Sequence, residues 1–305
     1  MNVLTVVMAL FSALSNAAAS VLQRRAAVEP DGVSGRGVRA AAARLGELLH
    51  RGYWWAGAAA MVLSAVFQVI ALDSGQLSVV QPLLATELLF TLLIAAVVFR
   101  HRPGVVTWLS FVMLATGLAV FLIAASPSHG GDRAADWRWL VVGGLLALAV
   151  GFLLYAANRL RGPGPVRAAT LGTATAACFA VTAALIKEVT GRFPDGLSAV
   201  LSTWHTYAGA FTGLVSVLLL QWTLKAGTLA ASQPALTLGD ALISVALGVV
   251  LFGESVSVGL RLLPEAGGVV LMAAGIVGLT RSPAVAGGES WDNVKPESSR
   301  KRRVR

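Results

Sequence analysis

The chain has 305 residues, of which 56% are hydrophobic and only 13% are charged. Soluble domains carry about 25% charged residues, so this composition excludes an ordinary soluble protein and predicts an integral membrane protein. The net charge of +9 does not predict a nucleic-acid partner, because the basic residues are sorted into particular loops.

Long apolar runs predict an all-α, polytopic bundle of nine membrane-spanning helices. An Arg-Arg pair follows the first run directly and no basic residue precedes it, so we expect an uncleaved span rather than a signal peptide. The predicted spans are 3–23, 53–72, 77–99, 105–125, 139–157, 167–186, 199–223, 229–252 and 265–281.

The distribution of basic residues predicts the orientation. If the N-terminus is outside, 19 of the 24 Lys and Arg residues fall on the cytoplasmic side. This asymmetry follows the positive-inside rule and predicts a multi-pass protein of the cell membrane with a cytoplasmic C-terminus. The basic loop 24–52 and a disordered basic tail, 282–305, would both be cytoplasmic, where the tail can contact anionic lipid.

The chain also contains an internal duplication. Five residues of the third run recur in the eighth at an offset of 152: Gly75, Leu77, Gln81, Pro82 and Leu84 match Gly227, Leu229, Gln233, Pro234 and Leu236. Val112, Ala115 and Gly117 likewise match Val270, Ala273 and Gly275. An odd number of helices between the copies gives them opposite orientations, as in many secondary transporters. We predict a first repeat at 1–125, a linking helix and loops at 126–166, and a second repeat at 167–281.

Two acidic residues, Glu87 and Asp240, lie near the middle of the duplicated runs. A charge at the bilayer centre costs about 2.5–3.5 kcal/mol on the insertion scale and normally marks an ion or substrate path. We predict that both bind substrate or ion. They lie one residue out of register between the copies, so the sequence leaves open whether they face one cavity. The alternative is that both are hydrogen-bonded contacts between helices.

Other polar residues of these runs are candidates for the same site. Gln233, Thr237, Asp240 and Ser244 recur at helical spacing, which predicts one oxygen-rich face. Gln81 and Thr91 accompany Glu87, Asn16 of the first run is a further candidate, and Gln68 is a weaker one.

Two prolines and one charged pair carry further structural predictions. Pro82 and Pro234 remove a backbone hydrogen bond each, so we predict them as hinges for alternating access. Lys187 and Glu188 end the sixth run, and we expect them to reach out to the membrane surface.

Residues 53–90 resemble the second and third helices of NIPA-type magnesium transporters, within the drug/metabolite transporter superfamily. The resemblance is carried by Trp54, Trp55, Gly57 and Met61, and then by Val80, Pro82 and Leu83. Gly253-Glu254 is similar to the Gly-Glu ending of a repeat helix in that superfamily, where the first repeat has His101-Arg102. The resemblance covers about residues 3–281 and implies a nine-helix transporter.

These features together predict a secondary transporter rather than an enzyme. It would move a small solute or cation by alternating access, with proton exchange at Glu87 and Asp240. The resemblance implies an alternative, a magnesium transporter or facilitator in which the same two acids bind the divalent cation. The TLGD segment at 237–240 is faintly similar to an intramembrane aspartyl protease site, but it lacks the first glycine and a Tyr-Asp partner. No cofactor is expected; the partners are the solute and membrane lipids, and a homodimer is left open.

Overall fold

The computed structural model describes residues 2–28, 52–98, 104–125, 130–160, 164–226, 229–255 and 262–281. Nearly all of the described residues are helical, and a single 3₁₀ turn, Phe193–Asp195, follows α7. Most of the predicted loop 24–52 and all of the predicted tail 282–305 lie outside the described residues. The helices are α1 Val3–Val28, α2 Gly52–Ser74, α3 Leu77–Leu84, α4 Glu87–Val98, α5 Val105–Ala125, α6 Asp136–Arg159, α7 Pro165–Thr190, α8 Leu197–Ser202, α9 Trp204–Ala226, α10 Leu229–Phe252 and α11 Leu262–Arg281.

The prediction of a polytopic helical membrane protein is confirmed. Within the described ranges, eight stretches are long and apolar enough to cross a bilayer, and they correspond to the first eight predicted spans. The ninth predicted span forms α11, whose apolar part, Leu263–Leu279, is shorter. Large apolar side chains such as Leu140, Leu148 and Phe152 are exposed on the outside of the bundle. Such a surface is suited to lipid and not to water.

The third predicted span is broken rather than continuous. Helix α3 ends at Leu84 and α4 begins at Glu87, with a turn at Ala85–Thr86 between them. The amide of Ala85 donates to the carbonyl of Pro82 at 3.2 Å, and that of Thr86 to Leu83 at 3.1 Å. These i→i−3 bonds tighten the chain where Pro82 has already removed an α-helical bond. Helix α10, in contrast, runs unbroken through Pro234.

Hydroxyl groups join the helices of two antiparallel hairpins. Between α1 and α2, the Ser12 hydroxyl donates to the carbonyl of Ser64 at 3.0 Å and Ser64 donates back to Ser12 at 2.9 Å. Between α7 and α9, the hydroxyls of Thr175 and Thr223 are 2.9 Å apart. Side-chain oxygens therefore join the helices where the surrounding medium offers no water.

Helices α5 and α11 pack against each other through glycines. A Cβ added to Gly117 would lie 2.6 Å from the backbone nitrogen of Met272, and one added to Gly275 would lie 2.6 Å from that of Leu114. Only glycine permits this approach of two helix backbones. The paired numbers rise along one helix as they fall along the other, so the two helices are antiparallel.

Candidate functional site

A cavity of about 640 Å³ lies in the middle of the bundle, between α1, α2, α3, α4, α7, α9 and α10. This volume is within the range of sites that bind small molecules. The cavity contains the side chains of both Glu87 and Asp240. The structure thus answers the question that the one-residue mismatch left open, because the two acids face the same space. Its polar lining residues are Asn16, Gln68, Gln81, Glu87, Thr182, Gln233, Thr237 and Asp240.

The two duplicated segments line the cavity through matching positions. Four pairs at the offset of 152 face it from both sides, at helical positions i, i+3, i+4 and i+7. Glu87 is an additional lining residue that lies beside Leu88 on this face. Asp240 is the partner of Leu88, so each copy contributes one acid at nearly the same level. The four pairs are Gln81 and Gln233, Leu84 and Leu236, Ala85 and Thr237, and Leu88 and Asp240.

Glu87 begins a new helix. It is the first residue of α4, directly after the Ala85–Thr86 turn. The amides of Leu88, Leu89 and Phe90 already donate to carbonyls of the preceding turn, so the helix dipole is the contribution of this helix end to stabilising a negative charge. The side chain of Asn16 on α1 lines the same cavity and lies near the Glu87 carboxyl. The structure therefore brings together two polar residues that the sequence predicted as separate candidates.

Asp240 lies inside the unbroken helix α10, and its carboxyl accepts a weak hydrogen bond. The Ser244 hydroxyl donates to its Oδ1 at 3.5 Å, the outer limit for a hydrogen bond. Ser244 itself is fully buried and does not line the cavity. Both acids are partly exposed rather than fully enclosed, so cavity water or a bound solute can contact them.

Three other predicted residues lie outside the cavity lining. Thr91 is half-buried on α4, one turn beyond Glu87. Pro82 packs against α10 and α11 in a small apolar pocket with Leu238 and Met272. Pro234 follows the lining residue Gln233 but is not itself among the lining residues.

The expectation for Lys187 and Glu188 is wrong. Both side chains are buried, with Lys187 5% exposed and Glu188 not exposed at all. The Glu188 carboxylate accepts hydrogen bonds from the amide of Ala134 at 2.7 Å and from Arg192 at 3.0 Å. Lys187 donates to the carbonyl of Gly75 at 2.6 Å. Hydrogen bonds and ion pairs with other parts of the chain compensate these two charges, so both side chains stay buried instead of extending to the membrane surface.

A further buried carboxylate, Glu254, was not predicted as a site residue. Its Oε1 accepts the amide of Leu77 at 2.8 Å, and its Oε2 accepts the amide of Ser78 at 3.0 Å. Lys187 Nζ lies 3.7 Å from Glu254 Oε1. The only signals in the sequence were the Gly-Glu dipeptide and two charges at the end of an apolar run. Neither identifies a contact across 177 residues.

The chemistry of the cavity favours a cation. Its described lining residues include two carboxylates, four carboxamides and two hydroxyls, with no Lys, Arg or His among them. Apolar side chains, such as Phe179, Ile186 and Leu220, form much of the remaining wall. In the part of the chain that the structure describes, no group of three or more His, Cys, Asp or Glu residues is placed to hold a metal ion.

The fold and the cavity define a polytopic helical membrane protein with an acidic central chamber. No protein-family model matches the chain, and no solved structure matches it. The chain is 31% identical over 264 residues to the uncharacterized protein Cgl0250/cg0304 of Corynebacterium glutamicum, with 84% of this chain and 87% of that protein covered. The chain belongs to the same family as that protein. Its membership of the drug/metabolite transporter superfamily stays a prediction.

Proposed function

We propose that the protein is a secondary transporter that moves a small cationic solute across the cell membrane by alternating access. Glu87 and Asp240 bind the cation and exchange it for protons. The observation that carries the proposal is that both acids line one central cavity whose described lining has no basic residue. Two carboxylates in a partly apolar chamber attract a cation by charge and hold its organic part by burial.

Pseudo-symmetric contacts support the inverted-repeat arrangement. Gly117 contacts Gly268 and Met272, and its duplicate Gly275 contacts Ser110 and Leu114. At the offset of 158 these two sets of contacts are equivalent. A two-fold axis between antiparallel helices produces this exchange of partners, as it does in an isologous interface. Many secondary transporters place their substrate at the midplane between two such repeats.

The extent of the cavity supports a conformation that is open toward one side. Its lining reaches Leu224 near the end of α9 and Gln233 near the start of α10, but it stops at Gln81 and Ile186 in the other direction. In the orientation that the basic residues predict, the open direction is the cytoplasm. The structure is then that of an inward-facing transporter.

Uptake into proteoliposomes tests the proposal. Purified protein is reconstituted and assayed with radiolabelled tetraethylammonium, choline and spermidine under an imposed proton gradient. We expect uptake of at least one cation and its loss in Glu87→Gln and in Asp240→Asn. Glu188→Gln is the control, because it neutralises a buried acid that does not line the cavity. The proposal fails if both cavity variants transport as well as the unmodified protein.

Magnesium is the second candidate solute, favoured by the set of oxygen donors around the acids. Asn16, Gln81 and Gln233 add carboxamide oxygens to the two carboxylates, and Mg²⁺ needs a few oxygen contacts in addition to its waters. The same vesicles, loaded with a magnesium-sensitive dye, distinguish the candidates. Magnesium uptake that depends on both acids would identify the divalent cation as the solute.

A further inference from the structure

The N-terminal end of α3 is capped by a carboxylate from the far end of α10. The first two amides of α3, on Leu77 and Ser78, donate to the two oxygens of Glu254. The next two amides already have a partner, because Val79 and Val80 donate to the carbonyl of Gln76. Glu254 thus completes the hydrogen bonding of this helix end, where the helix dipole also favours a negative charge.

Local backbone geometry holds Glu254 in this position. Helix α10 ends at Phe252, and the next residue, Gly253, has φ +66°, a left-handed conformation that favours glycine. A Cβ added to Gly248 would come within 2.9 Å of the Glu254 carboxyl carbon and closer still to Oε2. The carboxylate therefore lies against a helix position where any side chain would displace it.

Lys187 connects this cap to a third helix. Its ammonium group donates to the carbonyl of Gly75 and lies 3.7 Å from Glu254 Oε1. The Lys187 and Glu254 side chains are 5% and 0% exposed. One charge pair therefore joins α7, the end of α10 and the chain that leads into α3.

The capped end lies immediately beyond the closed end of the cavity. The last lining residue of α3 is Gln81, one helical turn from Leu77 and Ser78, and the last lining residue of α7 is Ile186, next to Lys187. At this end of the cavity, α3 and α7 both form part of the wall. Closure at this end thus coincides with the contact among Glu254, Lys187 and α3.

We propose that Glu254 and Lys187 are positioning residues of the transport cycle. By capping α3 they hold its cavity face in place and keep this end of the chamber closed. Glu254 must release α3 before this end can open. The inference rests on the proposed function, in whose orientation the closed end is the outer one.

The duplication makes this device one-sided. At the offset of 152, the first-repeat residue that matches Glu254 is Arg102. A guanidinium group has no lone pair to accept a hydrogen bond from a helix amide. At this matched position, the sequence therefore supplies a capping carboxylate for the outer end and none for the inner end. We expect the resting protein to favour the state in which the outer end is closed.

Accessibility of a single cysteine tests the proposal independently of transport. Val80→Cys is introduced in a Cys178→Ala background, since Val80 is buried on the face of α3 between the cap and the cavity. The full-length protein in proteoliposomes is treated from the outer side with a membrane-impermeant maleimide. Glu254→Gln should raise the labelling rate on the order of tenfold by shifting the population toward the outward-open state.

Two pairs of variants separate this effect from loss of folding. Gly248→Ala displaces the carboxylate without changing it and should also speed labelling, whereas Gly144→Ala, at a helix position with open space around it, should not. Glu188→Gln removes a neighbouring buried carboxylate that does not contact α3, and its labelling should stay slow. Unchanged labelling in both Glu254→Gln and Gly248→Ala, with the protein monodisperse, would overturn the proposal.

A charge exchange separates a cap from a simple ion pair. In Glu254→Lys with Lys187→Glu the pair is reversed, but a cation now faces the amides of α3. Labelling should stay fast, because the reversed pair cannot accept those hydrogen bonds; a return to slow labelling would contradict the capping role. Uptake is measured separately, so unchanged labelling in the Glu254 and Gly248 variants, together with uptake that still depends on Glu87 and Asp240, refutes only this inference. Altered labelling with acid-independent uptake refutes only the proposed function.

Discussion

The two segments that carry the central acids start from the same sequence pattern and fold differently. Both place Gln-Pro at the fifth and sixth helical positions, but α3 ends two residues after Pro82 while α10 continues for eighteen residues after Pro234. The difference follows from the residue four positions beyond each proline. Thr86 donates its hydroxyl to the carbonyl of Leu83 at 2.6 Å, and its counterpart Leu238 has no hydroxyl. Proline alone therefore does not break the helix, and the break in α3 has a hydroxyl bond to a backbone carbonyl that Leu238 cannot make.

The break explains how two acids out of register reach the same cavity. Asp240 occupies the regular cavity face of α10, whereas Glu87 starts a new helix beside that face. Glu87 therefore lies at a helix N-terminus with the Asn16 side chain nearby. Asp240, in the continuous copy, accepts one long hydrogen bond from Ser244.

The largest effect is expected from removing Glu254, which caps α3 in the repeat whose helix is broken. Glu254→Ala leaves two amides of α3 without an acceptor and Lys187 as an unpaired buried charge. Breaking a buried pair in this way costs about 3–5 kcal/mol. Thermal unfolding of the purified protein should show the loss, and Glu265→Ala on α11 is the comparison. An equal, small effect of both substitutions would mean that the cap does not stabilise α3.

A smaller effect is expected from removing the partner of Glu87. Asn16→Ala removes a carboxamide that lines the cavity near Glu87, so we expect a loss of cation affinity on the order of tenfold. Concentration-dependent uptake measures the change. Asn158→Ala, at a position on α6 that lines a different pocket, should leave the affinity unchanged. If both variants behave alike, Asn16 does not support the site.

The next largest effect is expected from a substitution in the Ala85–Thr86 turn between α3 and α4. Thr86→Val keeps the shape of the side chain but removes its hydroxyl, so the carbonyl of Leu83 loses one of its two donors at the break and keeps the Thr86 amide. We expect destabilisation of about 1 kcal/mol. Thr170→Val is the matched control, since Thr170 donates to the carbonyl of Val166 within the unbroken helix α7. Melting temperatures of the two variants that fall together would contradict a special role for Thr86.

The smallest effect is expected from a substitution in α10, the copy of the helix that is continuous. Ser244→Ala removes a donor that lies 3.5 Å from Asp240, at the limit of a hydrogen bond, so uptake and stability should change by less than about 0.5 kcal/mol. A clear loss of uptake in this variant would show that Asp240 depends on Ser244 as strongly as Glu87 depends on Asn16.

The helices and the central acids could be predicted from the sequence because their signals are local. The length of an apolar run fixes a membrane helix, and a costly charge in the middle of such a run needs a reason. Helical spacing also placed Gln233, Thr237 and Asp240 on one face, and the structure brings all three to the cavity.

The remaining features depend on contacts that are distant in the chain. The break at Ala85–Thr86 depends on a hydroxyl whose effect is visible only in three dimensions. Glu254 caps a helix 177 residues away, and the charges of Lys187 and Glu188 are compensated by partners on other helices. No local pattern contains this information, and for Lys187 and Glu188 the local pattern predicted the wrong environment.

The most direct test of the central claim asks whether the two acids share one water-accessible chamber. A water-soluble carbodiimide and a bulky amine are added to the purified protein, and modified carboxyls are identified by mass spectrometry. We predict modification at Glu87 or at Asp240 but seldom at both in one molecule, because the first adduct fills a cavity of about 640 Å³. Glu188 and Glu254 should remain unmodified. Independent modification of the two acids, or none at either while exposed Asp195 reacts, would contradict the shared chamber.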